Sequence, residues 1–431
     1  MMKILEYSQI KGSEIMNSRN REFDDIIQLR VSEIISRVVK GGDKALRELT
    51  KELDGADIDS LFVTKEELFS ESKLSDVELE QALNVAASNI EKFHKAQIPV
   101  DIEVETSLGV KCFQRSLPVR RVGLYIPGGS APLFSTLLML AIPARIAGCG
   151  EIVICTPPDR NGKVNNIILY LANKLGIGEI IKVGGAQAIA AMAYGTESIR
   201  RVDKIFGPGN NYVACAKLQL SSRVAIDMVA GPSELMILAD DSSIPEFIAA
   251  DLLSQAEHGR DSQLSFLTTD KYLAEEVNRL LKAQLASLPR RSIAETAINN
   301  GFSIICSDID EMVDFANHYG AEHLMISMKE PWSIANRIEN AGSIFLGNFS
   351  PESAGDYASG TNHTLPTAGW TRSTGGISVD SFMHKITLQQ ITSEGLAVLG
   401  GTIEKMAEAE GLTAHKNAVS IRLGRINNGV K

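Results

Sequence analysis

The chain lacks the features that mark several large classes of protein. Its 431 residues include 5 cysteines, none spaced as a CxxC pair, and no block of five like charges. The cysteines are odd in number and lie mostly in apolar runs, which favours buried, reduced thiols over zinc bound through sulfur. A net charge of -10 argues against nucleic acid or an anionic membrane surface as a partner.

Long apolar runs are missing as well. The most apolar window, 133–147, contains Pro143 and Arg145 and is too short to span a bilayer. The first residues contain no continuous apolar segment of the kind found in signal peptides. We therefore expect a soluble protein of the cytoplasm, and the 44% hydrophobic content in 431 residues predicts more than one core.

Short β-type runs alternate with helical patterns from Arg121 onward, which is typical of parallel sheets built from βαβ units. One series of strands is expected between 122 and 206, and a second between 235 and 346. The first 120 and the last 50 residues look mostly helical. The sequence thus predicts an α/β fold with two Rossmann-like βαβ domains, N-terminal helical segments and a helical C-terminal arm.

A helix is predicted over 245–258, with Ser242 or Ser243 as its cap, Pro245 in its first turn and Gly259 at its end. Gln255 and His258 then fall on one side of the last turn. The carbonyl end of a helix favours a cation, so the pair suits a metal site. Simple capping of the helix end by the two side chains is the alternative.

Glu322 and His323 open a strand-like run, where an open sheet can hold both side chains at its rim. Adjacent strand residues point in opposite directions, so only a bent backbone lets both serve one site. A solvated acid beside a satisfied histidine is the simpler interpretation of this pair.

The segment 350–366 is almost free of apolar residues and contains Glu352, Asp356 and His363. Together with 255–258, 321–323 and 410–415, it supplies nitrogen and oxygen ligands of the kind that divalent metals prefer. The chain therefore has the composition of a metalloenzyme.

Three glycine-rich loops, 127–129, 184–185 and 207–210, each close a predicted strand and precede a helix. Backbone amides at such positions approach phosphates closely, and helix N-termini favour anions. None of the loops spells GxGxxG, so they indicate dinucleotide binding in a non-standard manner. Ordinary turns would explain any one loop taken alone.

Eight motifs resemble those of the histidinol dehydrogenase family in order and spacing, and the similarity covers nearly the whole chain. They are Gly123–Ser135, Gly184–Gln187, Gly207–Asn210, Gly231–Glu234, Gln255–His258, Gly355–Tyr357, Asn362–Pro366 and Ala409–His415. As a set they are far more specific than any single motif.

The resemblance implies one zinc ion per subunit, two reactive residues and a bound NAD. Its zinc ligands would be Gln255, His258, Asp356 and His415, and its acid/base pair Glu322 and His323. The NAD contacts would be Tyr125, Gln187 and Asn210. The substrate contacts would be Ser233, Gln255, His258, His323, Asp356, Glu410 and His415.

The resemblance also implies the reaction and the assembly. Members oxidise L-histidinol to L-histidine through a bound aldehyde, reducing two NAD, and their C-terminal arm crosses to the other subunit of a homodimer. The corresponding division here is an N-terminal arm at 1–20, a first α/β domain with the metal and catalytic residues at 21–122 and 235–376, a second on the NAD side at 123–234, and a C-terminal arm at 377–431.

Two other functions remain open on the residues alone. The ligand set would also permit a zinc hydrolase in which Glu322 activates water. The glycine-rich loops argue against it, because a hydrolase has no need of them. A non-catalytic metal-binding scaffold is the third possibility, and it leaves the Glu322–His323 pair without a purpose.

Overall fold

The computed structural model describes residues 1–10, 23–128, 133–228 and 231–428. Part of the expected N-terminal arm, 11–20, and Gly129 of the first glycine-rich loop lie outside these residues. The described chain forms two compact units. The larger comprises Met1–Gln97 and Val119–Phe382, and the smaller Ile98–Pro118 and Met383–Lys431. The domain boundaries expected from the resemblance stay a prediction.

The strands are named here in chain order. They are β1 (Lys3–Glu6), β2 (Ile102–Ser107), β3 (Val110–Pro118), β4 (Arg121–Tyr125), β5 (Glu151–Cys155), β6 (Glu179–Ile181), β7 (Lys204–Phe206), β8 (Ala225–Ile226), β9 (Glu234–Ala239), β10 (Gln263–Thr268), β11 (Phe302–Ile305), β12 (Ala321–Ser327), β13 (Ala341–Leu346) and β14 (Met383–Ile391).

The helices are named in the same way. They are α1 (Tyr7–Ile10), α2 (Asp25–Leu49), α3 (Lys65–Glu71), α4 (Val77–Lys95), α5 (Phe134–Ala147), α6 (Asn166–Lys174), α7 (Gly185–Tyr194), α8 (Asn211–Leu220), α9 (Pro245–Ala256), α10 (Lys271–Leu285), α11 (Arg291–Asn300), α12 (Ile309–Tyr319), α13 (Pro331–Ala335), α14 (Glu352–Tyr357), α15 (Ser393–Ala409) and α16 (Thr413–Asn427). Within the described residues, no helix is long and apolar enough to cross a membrane.

Two parallel sheets form the larger unit. The five-stranded sheet has the order β6-β5-β4-β7-β8, and the six-stranded sheet the order β1-β11-β10-β9-β12-β13. Numbered within its own series, each sheet carries the order 3-2-1-4-5, and β1 adds an edge strand to the larger one. The α/β class with two Rossmann-like parallel sheets is therefore confirmed, and the two sheets share one strand order.

Burial explains why the central strands read as continuous apolar runs. Every residue of β4, β9 and β12 is buried, because helices cover both faces of each sheet. Helix α5 is apolar on all sides and lies almost wholly in the interior. The two sheets thus position their loops on rigid, fully packed strands.

Helix α2 begins after Asp24, whose side chain accepts a hydrogen bond from the Ile26 amide. Val31, Ile34 and Val38 form its buried stripe, which packs into the core of the five-stranded sheet. A π-helical turn, Thr50–Asp54, follows and ends at Gly55 in the left-handed region. Such turns often occur at functional sites.

The smaller unit contains an antiparallel sheet in the order β14-β3-β2, followed along the chain by α15 and α16. The helical C-terminal arm is confirmed, but the expectation that the first 120 and last 50 residues are mostly helical is wrong for β1, β2, β3 and β14. The period-2 signal of Ile102 and Val104 is weak because both side chains are exposed.

Helix α9 matches its predicted place but not its predicted caps. Ile244 occupies the N-cap position, and the helix ends at Ala256, with Glu257 as C-cap. The Ser243 hydroxyl donates instead to the carbonyl of Ser327. The prediction of a serine cap is therefore wrong, because tertiary contacts engage that side chain.

Candidate active site

Glu322 and His323 lie at the amino end of β12, beside Glu234 at the amino end of β9. The Glu234 amide donates to Glu322 Oε2 at 2.8 Å, and the Glu322 amide faces Glu234 Oε2 at 3.3 Å. His323 Nδ1 lies 3.1 Å from the Glu234 carbonyl and 3.6 Å from Glu322 Oε2. The two side chains predicted as a pair therefore meet at one edge of the six-stranded sheet.

The hydrogen bonds at His323 fix its tautomer. The Glu234 carbonyl can only accept, so Nδ1 carries the proton and Nε2 keeps its lone pair. Burial lowers the pKa of His323 to about 4, so the imidazole is neutral at pH 7. Burial and the neighbouring Glu234 raise the pKa of Glu322 well above its ordinary value. The imidazole of His323 is thus neutral with a free lone pair, and the Glu322 carboxylate binds a proton more readily than an ordinary glutamate does.

A cluster of possible metal ligands lies at the carbonyl end of α9. His258, Glu352 and Asp356 hold their ligand atoms within 4.8 Å of one another. His258 Nε2 lies 3.5 Å from Asp356 Oδ2, and the Ser254 hydroxyl donates to Glu352 Oε2 at 2.8 Å. Although burial disfavours its ionised form, contact with His258 lowers the pKa of Asp356. The cluster offers one nitrogen and two carboxylates, a hard donor set.

Unsatisfied polar atoms show that this donor set fits a cation. Gln255 is fully buried, and neither its Oε1 nor its Nε2 has a hydrogen-bond partner; the same holds for Glu352 Oε1. Buried polar atoms are nearly always paired, and each orphan costs free energy. A metal ion held by the cluster and the Gln255 oxygen would satisfy Gln255 Oε1 and Glu352 Oε1. The amide does not cap its own helix, which removes the simpler interpretation of Gln255.

His363 supports the cluster from behind. Its Nδ1 donates to the Asp356 carbonyl at 2.9 Å and lies 3.6 Å from Asp356 Oδ1, and its Nε2 lies 3.2 Å from the Thr136 hydroxyl. Burial lowers the pKa of His363, so the ring is neutral and its hydrogen bonds hold Asp356 in place. Outer partners of this kind orient metal ligands.

A cavity of about 1250 Å³ opens at the carboxyl ends of the five-stranded sheet, lined among others by Tyr125, Gln187 and Asn210. The Gly185 amide donates to the Tyr125 hydroxyl at 3.0 Å, and Gln187 Oε1 is buried without a partner. The first residues of α6, α7 and α8 line the same space. Three helix N-termini and a free amide oxygen fit a large anionic ligand such as a dinucleotide.

The loop after β7 is fixed to the sheet by a buried ion pair. Gly207 has φ +126, and a Cβ there would lie 2.1 Å from the Tyr125 carbonyl, so only glycine fits. Lys217 donates to the Gly207 carbonyl at 3.0 Å and pairs with Asp227, which accepts from the Gly207 amide at 2.8 Å. Asn210 caps α8, with its Oδ1 accepting from Tyr212 and Val213.

A smaller cleft of about 160 Å³ is lined by residues of both the large cavity and the ligand cluster. Its lining includes Asn210 from the cofactor side, Ser233 before β9, and His258 from the ligand cluster. The predicted substrate contact Ser233 thus lies between the predicted NAD contacts and the predicted metal ligands. A small molecule in this cleft would face both.

Glu410 and His415 belong to the smaller unit. Glu410 is the C-cap of α15, and His415 lies in the first turn of α16. Both side chains are exposed there.

Sequence reasoning gave no role to Glu234, and it noted Glu352 and His363 only as part of a polar segment. Glu352 and Asp356 are spaced i, i+4, which places both on one face of α14, so this signal was available. Glu234 had no such signal, because its role depends on the pairing of β9 with β12.

Comparisons with known proteins agree with this geometry. Residues 17–423 match the family model "Histidinol dehydrogenase". The chain is 52% identical to histidinol dehydrogenase of Bacteroides fragilis (strain YCH46), covering 99% of this chain and 100% of the relative, and 50% identical to that of Vibrio parahaemolyticus, covering 93% of each.

The crystal structure of histidinol dehydrogenase from Elizabethkingia anophelis superposes with a TM-score of 0.94 at 48% identity, covering 99% of both chains. The family model, the relatives and this structure all extend over more than nine tenths of the chain. The chain belongs to the histidinol dehydrogenase family.

Proposed function

We propose that the protein is a zinc- and NAD-dependent enzyme that oxidises L-histidinol to L-histidine, the last two steps of histidine biosynthesis. The observation that carries the proposal is the orphaned Gln255 amide in the last turn of α9, three residues before His258 of the ligand cluster, in a chain of this family. Two hydrides leave the alcohol carbon in succession, one water enters, and two NAD are reduced.

His323 is the proposed base for the first oxidation. Its protonated Nδ1 is held by the Glu234 carbonyl, so Nε2 is the atom free to take the hydroxyl proton as hydride leaves. Because the ring is neutral at pH 7, it enters the reaction as a base.

Glu322 is the proposed partner for the second oxidation. A water must add to the bound aldehyde, and Glu322 and His323 would take up the protons of that water and of the resulting diol. Burial, the first cause, raises the pKa of Glu322, which makes its carboxylate a stronger proton acceptor than an ordinary glutamate.

The proposed zinc ligands are Gln255, His258, Asp356 and His415, and Glu352 is a further candidate because it belongs to the cluster. A bound zinc ion would supply a Lewis acid that orients the imidazole and amine of the substrate. Ser233 in the cleft and Glu410 are proposed substrate contacts, with the Glu410 carboxylate pairing with the substrate ammonium.

Tyr125, Gln187 and Asn210 are the proposed NAD contacts, and bound NAD would supply the hydride acceptor. The buried Gln187 oxygen can accept a hydrogen bond from the cofactor, and the Asn210 side-chain NH2 can donate one because helix capping uses only Oδ1. The backbone at the helix N-termini binds the phosphates.

The assembly proposed here is a cytoplasmic homodimer. Glu410 and His415 are exposed in the smaller unit, where a partner subunit can use them. In this arrangement each subunit completes the other's site, and an isolated subunit is inactive.

The test is NADH formation from L-histidinol and NAD by zinc-loaded protein. Activity that disappears after chelation and returns with zinc supports the proposal. If folded, zinc-loaded dimer forms no NADH, the proposal fails and the zinc hydrolase takes its place.

A further inference from the structure

Three carboxylates line the large cavity at the five-stranded sheet: Asp54, Glu71 and Asp159. Glu71 is exposed and pairs with Lys163 at 3.2 Å. Asp159 is exposed and accepts from the amides of Asn161 and Lys163, both at 2.9 Å, so it holds its own loop together. These two acids already have partners within the protein.

Asp54 differs from both. It ends the π-helical turn after α2 and is partly buried. Its Oδ2 faces the Gln187 amide nitrogen at 3.4 Å, while its Oδ1 accepts no hydrogen bond from the described residues. No described cation forms an ion pair with it, although Arg30, Arg160 and Lys163 line the same cavity.

An unpaired carboxylate in a cavity wall costs free energy unless a ligand donates to it. Burial raises the pKa of Asp54 to about 6, in agreement with a carboxylate that has lost water and gained only the long hydrogen bond from Gln187. Its neighbour Gln187 also has an unsatisfied oxygen. Asp54 and Gln187 therefore form a polar patch. The hydrogen bond between them leaves one oxygen of each side chain without a donor from the described residues.

The chemistry of the patch selects its ligand. A carboxylate accepts hydrogen bonds from hydroxyl groups and repels phosphate. In dinucleotide-binding folds an acidic residue holds the ribose hydroxyls of NAD, whereas an arginine accommodates the 2′-phosphate of NADP. In this chain the segment directly after β5 is Thr156-Pro157-Pro158, which contains no acidic residue. The next acid, Asp159, accepts hydrogen bonds from amides of its own loop.

This inference rests on the proposed use of NAD. We propose that Asp54 binds the hydroxyl groups of the adenosine ribose of the cofactor and thereby selects NAD over NADP. The acid comes from the helical segment ahead of the sheet rather than from a strand end, which accounts for the absence of an acid directly after β5.

The experiment is calorimetric titration of the holoenzyme with NAD, NADP and 2′-deoxy-NAD, for wild type, Asp54→Asn and the matched control Glu71→Gln. Asp54→Asn is expected to weaken NAD binding about tenfold to hundredfold, as for a lost charge-assisted hydrogen bond. The substitution should leave the affinity for 2′-deoxy-NAD almost unchanged. It should also lower the ratio of the affinity for NAD to the affinity for NADP. Glu71→Gln should behave as wild type.

Equal NAD affinity in wild type and Asp54→Asn, while wild type still oxidises histidinol with NAD, would overturn this inference alone. Equal affinities of the wild-type protein for NAD and 2′-deoxy-NAD would also overturn the inference. This comparison needs no variant, so it remains decisive if Asp54→Asn does not fold. Failure of wild type to bind any of the three would overturn the proposed function as well.

Discussion

The two parallel sheets share one strand order but present opposite edges to their candidate sites. Glu234, Glu322 and His323 lie at the amino ends of the six-stranded sheet. Tyr125 and the loop 207–210 lie at the carboxyl ends of the five-stranded sheet. Ligands of open α/β sheets usually bind at the carboxyl edge. Only the five-stranded sheet follows this rule.

The direction of the helices explains the difference. In a βαβ unit, helices begin at the carboxyl edge of the sheet and end at its amino edge. The carboxyl edge therefore collects helix N-termini, which favour phosphates, and the amino edge collects helix C-termini, which favour cations. His258 follows the C-terminal end of α9, and the cofactor cavity is lined by the first residues of α6, α7 and α8. The same strand order thus provides one edge that favours cations and one edge that favours anions.

The largest expected effect comes from removing the proposed base, His323, at the amino edge. His323→Asn should reduce turnover by about two to four orders of magnitude, the scale of a lost general base. NAD affinity and zinc content should stay at the wild-type level. Steady-state kinetics, calorimetry and metal analysis measure the three quantities. His384→Asn, an exposed histidine of β14, is the control and should keep full turnover; near-normal turnover of His323→Asn would remove the proposed role.

The next effect concerns the stability of the carboxyl edge. Lys217→Met leaves Asp227 buried and unpaired, and should lower the free energy of unfolding by about 3–5 kcal/mol. Urea denaturation measures it. Arg279→Met breaks the exposed pair with Glu276 and should cost less than about 1 kcal/mol. If the two variants lower the free energy of unfolding by the same amount, the buried pair does not stabilise the loop at Gly207.

Gln255→Met has effects of opposite sign with and without metal. In metal-free protein it removes an unsatisfied buried amide and should raise the free energy of unfolding by about 1–3 kcal/mol. In zinc titrations it should weaken binding. The control is Asn362→Leu. The buried Asn362 amide donates to the Met139 carbonyl and accepts from the Thr364 amide, so this substitution should lower the stability of both the metal-free and the zinc-loaded protein. A loss of stability by Gln255→Met in metal-free protein would contradict the interpretation that the Gln255 amide is unsatisfied without a bound cation.

The smallest effect is a pH dependence at Asp54. Its pKa is about 6 in the folded protein against an ordinary 3.8, so the unfolded chain ionises first and stability falls as pH rises between these values. The thermal stability of Asp54→Asn relative to wild type should therefore increase from pH 4 to pH 6 and then level off, in scans without cofactor. A constant difference across this range would contradict the shifted titration.

The sequence predicted the parts of the molecule that local pattern controls. The buried strands, the helix carrying Gln255 and the rim position of Glu322 and His323 all follow from apolar runs, glycines and alternation. Glu234 and Asp54 depend on contacts between segments far apart in the chain, 88 residues in the case of Glu234 and Glu322. The antiparallel sheet was missed because the outer strands keep few buried side chains. The roles of the metal ligands came from family motifs, since residue types alone also permit a hydrolase.

The separation of the two edges is tested most directly by the affinity of NAD for metal-free wild-type protein, measured by calorimetry beside the zinc-loaded form. The account predicts that NAD binds both forms with affinities within about threefold, a difference below 1 kcal/mol, because the cofactor cavity lies at the other sheet. Loss of NAD binding together with the metal would show that the two edges form one interdependent site, and would contradict the account.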